Sequence, residues 1–171
     1  MSQRKSVEIF MGSDSDLDVM KDTAKQLEAF GIDFGMYILS AHRCGEEVLE
    51  LARSAASEGV EVIIAGAGKA AHLPGVIAGA TYLPVIGIPM KTSDLGGLDS
   101  LYSIVQMPAG VPVATVAIGQ TGAKNAAILA AQILGVKYPE IQNKVKEYKE
   151  KMRFDVLTKN KRLQETGYET Y

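Results

Sequence analysis

The sequence predicts a three-layer α/β domain built on a doubly wound parallel sheet, and three observations predict it. Short apolar β-type runs alternate with segments of helical periodicity along most of the chain. Each run is apolar at successive positions, so both of its faces need cover, as in a parallel sheet with helices on either side. Glycines stand where the helical patterns stop, at Gly31, Gly59 and Gly135.

The elements follow in order. A strand is expected over Ser6 to Met11, then a helix on which Leu17, Met20, Ala24, Leu27 and Phe30 recur at helical spacing. Asp33 to Leu39 reads as the second strand, and Val48, Leu51, Ala52 and Ala55 mark the second helix. The third strand covers Val60 to Ala65, a short helix starts near Pro74, and Pro84 to Ile88 is the fourth strand. A helix over Leu98 to Gln106, a strand over Val113 to Ile118 and a helix over Ala123 to Leu134 complete the series. Five β-α units imply the flavodoxin-like strand order 2-1-3-4-5, in which the loops leaving the first, second and third strands converge. Any active site is expected there.

After Pro139 the composition shifts to lysine and glutamate, and Ile141, Val145, Tyr148 and Met152 form a narrow apolar stripe on a long helix. Such a stripe needs cover, either from the body of its own subunit or from a neighbour. The division expected is a catalytic domain over residues 1–138 and a helical extension with a loosely held tail from Glu165 to Tyr171 over 139–171.

Composition bounds the function. At 171 residues and 47% hydrophobic the chain fits one domain with a real core. Its 18 basic and 20 acidic residues give a net charge of -2 and no broad cationic surface for a nucleic-acid polymer, so any nucleotide bound is a small one. Cys44 is the single cysteine, which rules out an intrachain disulfide and suits a reducing cytoplasm. Arg4 and Lys5 precede an apolar run, but Val7 to Met11 is too short and Glu8 breaks it, so a signal peptide is not expected. The uncharged stretch from Ala70 to Met90 is cut by His72, Pro74, Pro84, Pro89 and several glycines into pieces too short for a membrane span.

Four loops could carry chemistry. The first, Gly12-Ser13-Asp14-Ser15-Asp16, offers hydroxyls ahead of a helix whose free N–H groups favour an anion, though the same residues also read as a helix cap with acids in the first turn. The second, Ser40-Ala41-His42-Arg43, sets an imidazole that titrates near neutrality beside a guanidinium that can hold phosphate. The third runs from Gly66 through Gly68, Lys69, Ala70, His72 and Leu73 to Pro74 and has almost no side-chain bulk, which suits both a flat ligand and close packing on the sheet. Its glycines match a dinucleotide fingerprint only loosely, and Ala70 stands where a triphosphate loop needs Ser or Thr. The fourth, Lys91 to Asp99, is either functional or a mobile surface connection. Two histidines without clustered carboxylates make a thin metal shell, so no metal is expected.

These segments resemble the bacterial N5-carboxyaminoimidazole ribonucleotide mutases over nearly all of residues 6–135. Met11 to Asp16, Ser40 to Arg43, Ala65 to Gly75, Asp99 to Pro108 and the helix holding Asn125 carry the resemblance. It implies a homo-octamer working without metal, ATP or organic cofactor on a small ribonucleotide, with carbon dioxide as an intermediate. It implies that Ser13, Asp16 and Arg43 bind the phosphoribosyl part, that Ser15 and Ser40 assist, and that His42 transfers the proton. The third loop, with Gly68, Lys69, Ala70, His72 and Leu73, would close the pocket in which a carboxylate moves from the exocyclic nitrogen to C4. Two departures stand out: Cys44-Gly45 replaces the family's usual Thr-Pro, and Lys69 interrupts a run of glycines. Losing the proline makes the start of the second helix less preorganised, and Lys69 either aids carboxylate binding or narrows the pocket. Competing readings are a carbon dioxide-dependent aminoimidazole ribonucleotide carboxylase of the same fold, and a flavin- or phosphate-binding module. Against the modules, Ala65-Gly66 leaves no acid at the end of the third strand and there is no tryptophan to stack a flavin.

Overall fold

The computed structural model describes residues 6–171; Arg4, Lys5 and the rest of 1–5 lie outside the described residues. Strands β1 (Val7–Met11), β2 (Phe34–Ile38), β3 (Val62–Ala67), β4 (Val85–Pro89) and β5 (Ala114–Thr115) form one sheet, all neighbours parallel, in the order β2-β1-β3-β4-β5. The expected doubly wound order is the one observed.

Helices α1 (Leu17–Ala29), α5 (Gln120–Gly135) and α6 (Pro139–Thr166) serve one face of the sheet, and α2 (Gly45–Ser54), α3 (Leu73–Ala80) and α4 (Leu98–Val105) the other. The strand period of two separates the two cores. Val7, Ile9, Met11, Val62, Ile64, Ile86 and Ile88 point to the first face, while Phe10, Ile63, Ala65 and Val85 point to the second. Burying each Ile side chain completely contributes roughly 1.5 to 3 kcal/mol, so these runs hold the layers together.

Burial on both faces holds for β1, β3 and β4, which are buried along their whole length, but not for the outer strands. In β2 only Gly35 is buried, and β5 is a two-residue strand rather than the expected run to Ile118. Pro112 precedes it and no strand among the described residues covers its outer side; the ladder pairs Ala114 and Thr115 with Ile86 and Gly87. The chain stays beside β4 afterwards, through Val116 N–H to Gly87 O and Gly119 N–H to Pro89 O. Strand β3 runs on to Ala67 instead of stopping at Ala65. Gly66 belongs in it through its pairing with Met11 and Ile88, and a Cβ there would fall 2.4 Å from Met90 Cε and 2.6 Å from Met20 Sδ.

The stripe on α6 is divided. Ile141, Val145 and Tyr148 pack on the body of the same chain, with the Tyr148 ring edge-on to Phe30 at 5.6 Å, whereas Met152, Phe154, Val156 and Leu157 are exposed. Glu61 fixes the junction by accepting from Tyr138 Oη at 2.5 Å and pairing with Lys137 at 3.0 Å. Glu165 and Thr166 belong to α6 rather than to a tail, and only residues 167–171 leave it. No described helix is long and apolar enough to cross a membrane.

Candidate active site

The loops that follow β1, β2, β3 and β4 meet at the carboxyl edge of the sheet around a cavity of about 610 Å³. That is the crevice this strand order creates, because β2 and β3 flank β1 and the connection after β1 departs to one face while those after β2 and β3 depart to the other. Every residue picked from the sequence lines it: Ser13, Ser15 and Asp16 from the first loop, Ser40, His42 and Arg43 from the second, and Gly68, Lys69, Ala70, His72 and Leu73 from the third.

The first two loops are tied to each other. Ser13 caps a short 3-10 turn (Asp14–Asp16), its Oγ accepting from Ser15 N–H at 3.3 Å and donating to Asp14 Oδ1 at 3.1 Å. Ser13 therefore caps this turn and not α1 itself, whose N-cap Asp16 makes no side-chain cap bond, and Ser13 still borders the cavity. Arg43 Nη2 donates to Gly12 O at 3.1 Å, bridging the loops at the cavity wall. Asp16 lies half-buried at the base of this cradle. Burial pushes its carboxyl above the ordinary aspartate range of 3.8, aided by the Asp14 charge and opposed by bonds from Ser15 and Ser13.

Ser40 organises the second loop. Its carbonyl accepts from Arg43 and Cys44 N–H, and its Oγ accepts from His42 N–H at 3.3 Å. The Cys44 thiol accepts from Ser40 N–H at 3.0 Å and donates to Ser40 O at 3.2 Å. Helix α2 thus starts at Gly45 without the proline, held by a sulfur bridge.

His42 Nε2 lies 2.7 Å from His72 Nδ1, with the rings edge-to-face at 4.8 Å. A bond between two imidazole nitrogens needs one donor and one acceptor, so a single proton lies between them and two imidazolium rings cannot face each other there. The pair is exposed toward the cavity. Among the described residues no three His, Cys, Asp or Glu side chains converge to hold an ion.

The fourth side was only half read from sequence. Met90, Lys91, Thr92 and Ser93 line the cavity, as do Gly12, Ala41 and Ala67, and none of them was singled out as a site residue. The loop is knit by hydrogen bonds rather than left as a loose connection. Thr92 Oγ1 donates to Asp99 at 2.8 Å and accepts from Gly97 N–H at 3.2 Å, and Ser100 Oγ donates to Met90 O at 2.6 Å. The signal that could have found it is Thr92-x6-Asp99 with Ser100, polar side chains spaced to close a loop onto its own helix. Across the rim, Lys69 Nζ pairs with Asp94 Oδ2 at 2.8 Å, and Lys69 holds a left-handed φ of 55°.

Fold and site together define a doubly wound α/β protein whose loop-built cavity joins Arg43 and the serines of the first two loops to a pair of hydrogen-bonded imidazoles. The chain belongs to the AIR carboxylase family, whose sequence profile matches residues 6–155. It is 64% identical over 165 residues to the N5-carboxyaminoimidazole ribonucleotide mutase of Thermotoga maritima, covering 96% of this chain and 95% of that one. It is 58% identical over 170 residues to the enzyme of the same name from Pyrococcus horikoshii, covering 99% and 95%. Among solved structures, Treponema denticola PurE superposes with a TM-score of 0.84 at 31% identity, covering 92% of this chain and 97% of that one.

Proposed function

We propose that this chain is an N5-carboxyaminoimidazole ribonucleotide mutase of de novo purine biosynthesis, an isomerase that forms 4-carboxy-5-aminoimidazole ribonucleotide. The observation that carries the reading is the joined His42–His72 pair standing in one cavity with Arg43, Ser13 and Asp16. Extensive identity to relatives bearing the mutase name supports it.

The chemistry assigns each group a task. Arg43, with the Ser13 and Ser15 hydroxyls, holds the phosphate, and Asp16 and Ser40 hold the ribose side. The substrate's N–carboxylate bond breaks, carbon dioxide departs, and the exocyclic nitrogen takes a proton from His42. C4 of the resulting aminoimidazole attacks the carbon dioxide held in the cavity, and His42 removes the C4 proton to restore aromaticity. One proton is given and one recovered, so the reaction consumes no co-reactant. Confining carbon dioxide beside C4 supplies the proximity that makes recapture faster than escape. His72 Nδ1, hydrogen-bonded to His42 Nε2, orients the His42 ring.

Incubation with the N-carboxylated ribonucleotide, without ATP or metal, tests the assignment by the appearance of the C4-carboxylated product. Product formed only from aminoimidazole ribonucleotide and dissolved carbon dioxide would make the chain a carboxylase instead. A flavin-binding module would copurify with a yellow ligand and turn over neither.

The protein works in this reading as a cytoplasmic homo-oligomer, an octamer. What supports assembly is the exposed apolar face of α4, with Leu98, Tyr102 and Val105, and the uncovered half of α6. Light scattering at micromolar concentration is expected to give a mass several times 18.3 kDa, and a monomer would remove the assembly claim.

A further inference from the structure

The cavity receives three cationic side chains besides its histidines: Arg43, Lys69 and Lys91. Their surroundings differ. Arg43 is tied to Gly12 O at the cradle end. Lys69 stands three residues before His72 in the third loop, where His72 N–H donates to Ala70 O at 2.8 Å and Ser103 Oγ donates to Lys69 O at 3.5 Å. Its ammonium is matched by Asp94, a residue of the fourth loop that does not itself line the cavity. Both side chains of that pair are mostly exposed, at 72% and 62%.

Resting on the mutase reading, we propose that Lys69 is a specificity-determining residue that recognises the ligand's carboxylate by exchanging Asp94 for it. An exposed ion pair contributes little, because solvent screens it and two flexible side chains must be ordered. The same ammonium facing a carboxylate inside the cavity meets it at lower effective dielectric, so exchange favours the bound ligand. Asp94 holds the ammonium across the rim while the cavity is empty. Its bond and charge raise the lysine above its ordinary range, and Asp99 adds to this. Once carbon dioxide has left the nitrogen, the ligand presents no charge to Lys69 and the ammonium returns to Asp94. Lys69 therefore favours the two carboxylated states at either end of the reaction over the aminoimidazole between them.

The backbone agrees with a retained side chain at this position. Lys69 occupies a left-handed conformation that glycine adopts without strain, so its Cβ is kept at a cost. Asparagine tolerates that conformation and removes the cation, which makes Lys69→Asn the appropriate variant.

Calorimetry with two probes tests the proposal: aminoimidazole ribonucleotide, which has no carboxylate, and its 4-carboxy derivative. Wild-type protein must bind both; failure to bind either defeats the mutase reading itself. Lys69→Asn is expected to weaken the carboxylated probe about 10-fold and leave the other unchanged, and Asp94→Asn to tighten the carboxylated probe alone by about 3-fold, the scale of one exposed pair. The two variants are independent, so misfolding of one still leaves the other to decide. Equal shifts for both probes, no shift in either variant, or selective loss in Lys91→Ala would overturn the role of Lys69.

Discussion

The two sides of the cavity are built differently. On the β1–β2 side, Ser13, Ser40 and Arg43 are held by short-range bonds and by Arg43 reaching Gly12 O, so the proposed anion cradle is formed within the chain itself. On the β3–β4 side the fourth loop is knit to its own helix through Thr92, Asp99 and Ser100, but it meets the third loop through the exposed Lys69–Asp94 pair and a 3.5 Å contact from Ser103 Oγ to Lys69 O. In the proposed reading the ligand's phosphate, constant through the reaction, is held on the first side. The carboxylate, which leaves and returns, is in the same reading met on the second side, where an exposed ion pair joins the loops.

Four variants would sharpen or break this contrast. The largest effect belongs to the residue between the two sides: His42→Asn should cut turnover by about 10² to 10⁴-fold, the usual loss for a positioned general acid or base, while ribonucleotide affinity persists. Retained activity in that variant with loss in His72→Asn would move the proton to the other ring. Arg43→Ala should weaken the ribonucleotide and simple phosphate analogues alike by about 10 to 100-fold, as expected from losing a charge-assisted anchor. Unchanged affinity by calorimetry would show that the cradle does not need its cation.

Smaller effects concern stability. Thr92→Val removes the hydroxyl that serves both Asp99 and Gly97, and should lower the melting temperature by about 2 to 4 °C, equivalent to about 1 kcal/mol. No change would mean that the fourth loop holds without it. Asp16→Asn should raise the melting temperature slightly, by less than Thr92→Val lowers it. Because burial raises the Asp16 pKa above 3.8, the folded state prefers it protonated. That preference favours folding fully below the unfolded value and is lost as pH rises through the folded one. The gain from asparagine should therefore be absent in acid and complete at neutral pH in a pH series of melting curves. A gain independent of pH would assign it to something other than this carboxyl.

The gap between sequence and structure falls along the same division. Loops one to three were legible because their chemistry lies in consecutive residues: Ser13 to Asp16, His42 beside Arg43, and the bulk-poor run before His72. Met90 and Lys91 to Ser93 were not assigned to the site, because nothing local distinguishes a cavity wall from a surface connection. The short β5 was overextended because an edge strand's apolar residues read like those of a covered one.

By itself the sequence determined the layer architecture, the alternation of strands and helices, and which loops could bear an anion and a proton. Those properties follow from periodicity and residue type over a few positions, which chain geometry converts directly into faces and ends. Only the tertiary structure decided that His42 meets His72 across 30 positions, that Lys69 pairs with Asp94, and that Ile141, Val145 and Tyr148 are covered by their own chain while Met152 is not. Those outcomes depend on where the sheet order and the helix docking bring distant segments together. No spacing along the chain encodes an approach of 2.7 Å between two side chains on different loops.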